Sequence, residues 1–196
     1  MLPGHERAAA QTPRSRPRRD VVCLWLYDIR MIVIRDALPS DYGAILRLNE
    51  ESVHYLSPLT RGALQALASA AAYHRVVEVD QEVAAFLLVL PPGVDYGSIN
   101  YRWFTQQYEH FLYVDRVVVA RIHQGNGLGR RLYEELFEFA RRHQVPRITC
   151  EFDIDPPNEA SRLFHTRYGF AEVGTQALEG GVKRVSLQAA ELSTPT

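Results

Sequence analysis

The residues best placed to do chemistry are Gln124-Gly125-Asn126-Gly127-Leu128-Gly129, followed at once by Arg130 and Arg131. Three glycines let a backbone approach a ligand closely and leave the first N–H groups of a following helix uncovered. Such an end attracts phosphate through its unpaired donors and the helix dipole. The two arginines add the charge a diphosphate needs, although cations in a first turn oppose the dipole. Two elements must position this turn. Before it, Phe111 to Ala120 is a Val- and aromatic-rich run that reads as a strand buried on both faces. After it, Leu128, Leu132, Leu136 and Ala140 recur every fourth residue with Tyr133 and Phe137 beside them, the pattern of an amphipathic helix running to Arg142.

Glycines at a strand–helix junction can also serve the turn alone. A dinucleotide fingerprint would use Gly125-Asn126-Gly127 with Glu151 downstream, but its sixth position is Arg130, and Arg121 to Gln124 intervene after the strand. A P-loop would need Gly-Lys-Ser/Thr, which is absent. A second stretch separates these readings. Asn158-Glu-Ala-Ser-Arg-Leu-Phe164-His165-Thr-Arg-Tyr-Gly169-Phe170 opens on Asn and closes on Gly-Phe, with a strand, Arg147 to Ile154, ahead of it. Together, and in this order, the two stretches resemble the acetyl-CoA motif and the penultimate helix of the GNAT superfamily of N-acetyltransferases. The resemblance is sharp from Phe111 to Phe170 and extends in element order from Ile32 to Gln188.

The resemblance implies acetyl-CoA as cosubstrate, bound by Val117, Val118, Val119, Gln124, Gly125, Asn126, Gly127, Leu128, Gly129, Arg130 and Asn158. The pantetheine arm would lie along the three valines as an added strand, and a free N–H there would meet the thioester oxygen. Losing such a donor typically costs ~3 kcal/mol in the barrier. In the family, a Tyr four residues before the Gly of Gly-Phe often protonates the departing thiolate; here that position is His165, a departure. Asn158 and His165 are seven apart and so share a helix face, while Ala160, Leu163, Phe164 and Tyr168 form the apolar one. His165 as acid and Glu151 as base, on a strand face with Thr149 and Asp153, are the expected catalytic residues. Asp115 is expected to pair with an arginine, because a buried carboxylate is seldom left alone. Glu51, at the end of the first helix, could hold a substrate ammonium. Tyr101 and Trp103 belong to the aromatic segment Tyr96 to Tyr108, which suits a pocket wall or a homodimer contact.

At 196 residues, 46% of them hydrophobic and 23% charged, the chain suits one ordinary domain. Its formal net charge of -1 gives no reason to expect nucleic acid or an acidic membrane as partner. The domain is expected to begin at Met31. Residues 1–30 would be an extension or a misplaced start, with Ala8 to Arg19 disordered by composition; Val21 to Tyr27 is too short to span a bilayer. Residues 191–196 would be a frayed tail. Cys23 and Cys150 are the only cysteines, so a reducing cytoplasm fits better than a disulfide framework. The histidines show no ligand spacing, and no metal is expected.

The expected fold is α/β, a mixed sheet with helices on both sides in the order β-α-α-β-β-β-α-β-α-β-β. Ser40 is expected to cap the first helix and Thr60 the second, Asp80-Gln81 to turn a hairpin without glycine, and Val94 to His110 to be the least regular part. The expected function is transfer of an acetyl group from acetyl-CoA to a primary amine by direct attack. Two rivals stay open: an acyl-CoA-binding regulator without turnover, and a nucleotide-binding α/β domain.

Overall fold

Apolar runs rich in Val and Leu in the first half of the domain make a series of antiparallel strands, one of which, Glu82–Leu90, is buried from Ala84 onward. The computed structural model describes residues 31–192; the expected extension 1–30 and the end of the expected tail lie outside the described residues. The elements are β1 (Ile32–Asp36), α1 (Tyr42–Glu50), α2 (Arg61–Ala70), β2 (Tyr73–Val79), β3 (Glu82–Leu90), α3 (Ile99–Gln107), β4 (Leu112–Val119), α4 (Leu128–Arg142), β5 (Arg147–Asp155), α5 (Glu159–Thr166), β6 (Ala171–Leu178) and β7 (Lys183–Glu191). They build one seven-stranded sheet in the order β1-β2-β3-β4-β5-β7-β6. Every pairing is antiparallel except β4 with β5.

The expected order is present with one addition, α3, in the stretch expected to be irregular. Ser98 caps it, accepting from the Tyr101 N–H at 3.3 Å. Thr60 caps α2 as expected, accepting from Ala63 N–H at 3.2 Å. The start of α1 differs from the reading that Ser40 would cap it. Pro39–Asp41 is a 3₁₀ turn, and the Asp41 carboxylate takes the Leu38 N–H at 2.7 Å and both Arg35 Nη groups at 2.7 and 2.9 Å. A carboxylate with an arginine partner outcompetes a hydroxyl for that place.

Two apolar layers hold the sheet. On one side Leu132, Tyr133, Leu136 and Ala140 of α4 pack against Val77, Leu87 and Val114. On the other, Ile45 and Leu48 of α1, Leu64 of α2, and Tyr101 and Phe104 of α3 pack against Val76, Phe86, Leu88 and Tyr113. The strand expected to be buried on both faces is β4, although Val117 and Val119 are only half covered on theirs.

β4 and β5 share only two register pairs, Leu112 with Ile148 and Tyr113 with Thr149. Beyond them the strands part, so the edge of β4 from Val114 to Val119 has a neighbour on the β3 side alone. A shift in register places Asp115 as the extra residue between Val114, opposite Val89, and Arg116, opposite Leu88. A bulge of this kind bends a strand, and it sits where the fork opens.

Candidate functional site

The fork leads straight into the glycine turn. Gly125 and Gly127 hold φ of 80° and 78°, the left-handed region that glycine alone enters without penalty. A Cβ added at either would meet nothing within 4 Å, so the space beside the turn is open. Gly127 is the N-cap of α4, and no side chain caps the helix; its first amides are bare, and they fit a diphosphate. Leu128 is buried against the sheet and anchors the turn, whereas Asn126, Arg130 and Arg131 face solvent. Gln124 acts locally, since its amide donates to the Val119 carbonyl at 3.2 Å and ties the turn to the end of β4. Val118 is buried on the α1 side, while Val117 and Val119 pack toward α4. A strand bonded on one side spends only every other amide there, so alternate amides of this trio point into the fork.

Glu151 lies on β5 two residues past the last paired position, at the mouth of the fork. Its Oε1 accepts from the Asn100 amide at 2.9 Å and the Tyr113 hydroxyl at 2.8 Å. Its Oε2 is shielded from solvent and has no hydrogen-bond partner. Burial pushes the Glu151 carboxyl up to about 7; the two donors pull the other way and lose, and the nearby Asp115 and Asp153 add to the rise. Thr149 and Asp153 share its strand face as expected. The Thr149 hydroxyl donates to Leu112 O at 3.3 Å, and Asp153 pairs with Lys183 at 2.9 Å.

Asp115 finds its arginine one residue on: Arg116 Nε lies 2.8 Å from it, both side chains buried. The Tyr96 hydroxyl also donates to Asp115, at 2.6 Å. Arg116 reaches on to Asn49 Oδ1 at 2.6 Å and Ser57 O at 2.9 Å, which ties the α1–α2 connection to the bulge.

His165 is placed differently from the expectation. It is 3% exposed. Its Nδ1 lies 2.8 Å from the Ser161 carbonyl and therefore carries the hydrogen, so its Nε2 accepts from the Tyr133 hydroxyl at 2.8 Å. Burial lowers its pKa to about 4, and rings of Tyr133, Phe152, Phe164 and Phe170 surround it. The one hydrogen of this neutral imidazole is held by the Ser161 carbonyl and its other nitrogen accepts, so neither is turned to donate to a thiolate. This geometry makes His165 a core residue. The expected division of α5 is turned accordingly: Ala160 and Leu163 face solvent, and His165 faces in with Phe164. Asn158 stands at the start of α5, its side chain capping the helix through Ser161 N–H at 3.1 Å.

The acceptor-side residues scatter. Glu51 is exposed at the end of α1. Tyr101 is 1% exposed, and its hydroxyl donates to Pro91 O at 2.7 Å and accepts from Val94 N–H at 2.9 Å, so it pins the loop before α3. Its outer edge lines a cavity of about 570 Å³ with Tyr96, Tyr108, Asp95 and Glu109. Trp103 lies flat on Gly174 of β6, where a Cβ would come within 2.9 Å of the indole. Asn100, Tyr113 and Gln176 were not singled out from the sequence. Tyr113 was readable only as one more aromatic in a strand, and Asn100 touches Glu151 across 51 positions.

The sequence model of the acetyltransferase (GNAT) family matches residues 39–170. A 5-NmdU N-acetyltransferase of Pseudomonas phage PaMx11 is 28% identical over 148 residues, 74% of this chain and 90% of the phage protein. Among solved structures, the ribosomal-protein-S18-alanine N-acetyltransferase of Escherichia coli superposes with a TM-score of 0.65 at 16% identity, covering 85% of this chain and 97% of its own. The Salmonella typhimurium protein yncA, solved with its cofactor acetyl-CoA, gives 0.65 at 20% identity over 85% and 96%.

Proposed function

This chain belongs to the GNAT family of acetyltransferases, and from that premise we propose that it moves the acetyl group of acetyl-CoA onto a primary amine of a small molecule or peptide by direct attack. As a family member it takes acetyl-CoA as its acetyl donor. The observation that carries the reading is the fork: a strand edge left open at Val117 to Val119, running into a left-handed glycine turn and an uncapped helix. The alternate amides of the valines would line the pantetheine arm and meet the thioester oxygen, and the amides from Gly127 to Arg130 would take the diphosphate. Asn158, at the start of α5, would add a polar group to the same site.

Glu151 is assigned the base. With its carboxyl near 7, taking a proton from an α-amine of pKa ~8 costs roughly 1 kcal/mol, against roughly 5 kcal/mol for a lysine-like amine near ~10.4. An amine of the first kind is therefore the better acceptor. The proton balance closes without His165. Glu151 removes one proton from the ammonium, the amine nitrogen forms the C–N bond as the C–S bond breaks, and the nitrogen's surplus proton reaches the thiolate through water. Cys150 is buried, and burial raises its thiol pKa well above normal, so an acyl-cysteine route is disfavoured. The unpaired Oε2 also favours an enzyme over a regulator without turnover. The acceptors named for the relatives, 5-NmdU and an alanine of ribosomal protein S18, do not converge on one molecule.

The test is an acetyl-transfer screen over amino acids, peptides, polyamines and aminomethyl nucleosides. Turnover with an amine, reduced 10²- to 10⁴-fold by Glu151→Gln, is expected. Coenzyme A binding with no turnover on any amine would overturn it.

A further inference from the structure

Glu151 receives hydrogen bonds on one oxygen only, and both donors come from other elements. We propose that Asn100 of α3, oriented by Gln176 of β6, is a positioning residue that engages Oε1 of Glu151 and leaves Oε2, which has no hydrogen-bond partner, as the oxygen that takes the proton. This rests on the reading of Glu151 as the base. The geometry is a short relay. Gln176 Nε2 donates to Asn100 Oδ1 at 3.1 Å, and Asn100 Nδ2 donates to Glu151 Oε1 at 2.9 Å. An asparagine amide offers donors at one end and an acceptor at the other. With Gln176 holding the acceptor end, only the donor end can face the carboxylate; reversed, Oδ1 would repel it.

The relay is framed from all sides. Asn100 is 6% exposed. The helix that carries it is docked by Trp103 on the bare face of Gly174 and by Phe104 against Tyr113, rings 5.8 Å apart. The titratable and charged groups around Glu151 are Tyr113 and Asp115 of β4, Cys150 and Asp153 of β5, Tyr133 of α4 and Tyr96 ahead of α3. Both neighbouring carboxylates have cations of their own, Arg116 for Asp115 and Lys183 for Asp153. Among the described residues Glu151 has none. Neutral donors therefore decide how its charge is held, and Asn100 is the one whose amide Gln176 orients.

The experiment is the pH profile of kcat/KM for the full chain and for Glu151→Gln, Asn100→Leu and Gln176→Glu, with coenzyme A affinity measured on each. Asn100→Leu removes a donor that favours the charged carboxylate, so the acid limb should move up by about one pH unit, about tenfold in rate on its acid side. Gln176→Glu turns an amide donor into an acceptor, which draws the Asn100 amide round and should move the limb the same way. Coenzyme A affinity should stay within about twofold throughout. Limbs unmoved in both variants, with Glu151→Gln inactive, would overturn the relay and leave the base in place. An unchanged rate in Glu151→Gln would remove the base and the relay with it. Should Asn100→Leu fail to fold, Gln176→Glu, at a half-buried strand position, decides alone.

Discussion

Glu151 and His165 sit within one domain and are driven in opposite directions by the same force. Desolvation disfavours the charged form of each, so the carboxyl rises to about 7 and the imidazole falls to about 4. For stability the signs oppose. Native Glu151 keeps a proton that the unfolded chain gives up between about 4.5 and 7, so its contribution falls as pH rises through that window. Native His165 refuses a proton that the unfolded chain takes below about 6.5, so its contribution is present above that pH and is lost as pH falls toward 4. His74, also lowered to about 4 by burial, acts with His165. Each histidine is worth roughly 3 kcal/mol across the window, and two outweigh one glutamate. Thermal unfolding from pH 4 to 8 should therefore show Tm climbing to about pH 6.5. His165→Phe should flatten that climb and cost about 1–3 kcal/mol at pH 7, because the Tyr133 hydroxyl loses its acceptor. Its pH–rate profile should keep the parent shape; a collapse of turnover in a folded variant would return His165 to the chemistry. The spacing Asn158 to His165 was readable in the sequence, but not which side of so short a helix meets Tyr133.

At the scale of elements, the parts that local pattern controls were legible: the strand before the glycine turn, the four-residue stripe of α4, the Thr60 cap. Departures came where a distant partner decides. The β2–β3 hairpin is not one of them: its expected turn at Asp80 and Gln81 takes φ of 53° and 71° without glycine, held by the flanking strands. Helix α3 was missed because its buried residues, Asn100, Tyr101 and Phe104, mix polar with aromatic and its exposed face carries Ile99. Its docking makes a prediction. Gly174→Val places a branched side chain where a Cβ alone would be 2.9 Å from Trp103. Trp103 must give way, which should draw α3 and its Asn100 away from Glu151. Acetyl transfer should drop at least tenfold while coenzyme A affinity holds within about twofold. Equal losses in both would mean that α3 supports the fork as a whole.

Across the whole molecule, the order of strands and helices reads from the sequence, and the seven-stranded sheet gives that order its geometry. What the sequence could not display is the parting of β4 and β5, because a fork is a relation between strands that lie far apart along the chain. The fork is nonetheless where the elements of the proposed site meet: the valine edge, the bulge at Asp115, the turn on α4 and the carboxylate on β5. Amide spectroscopy of the isotope-labelled chain titrated with coenzyme A tests this most directly. The account predicts that the largest shifts fall on Val117 to Val119 and Gly125 to Arg130. It also predicts that Gly127→Glu, which puts a side chain at φ 78° and a negative charge at the diphosphate, weakens binding at least tenfold. Shifts gathered elsewhere on the sheet, with Gly127→Glu binding as tightly as the parent, would contradict it.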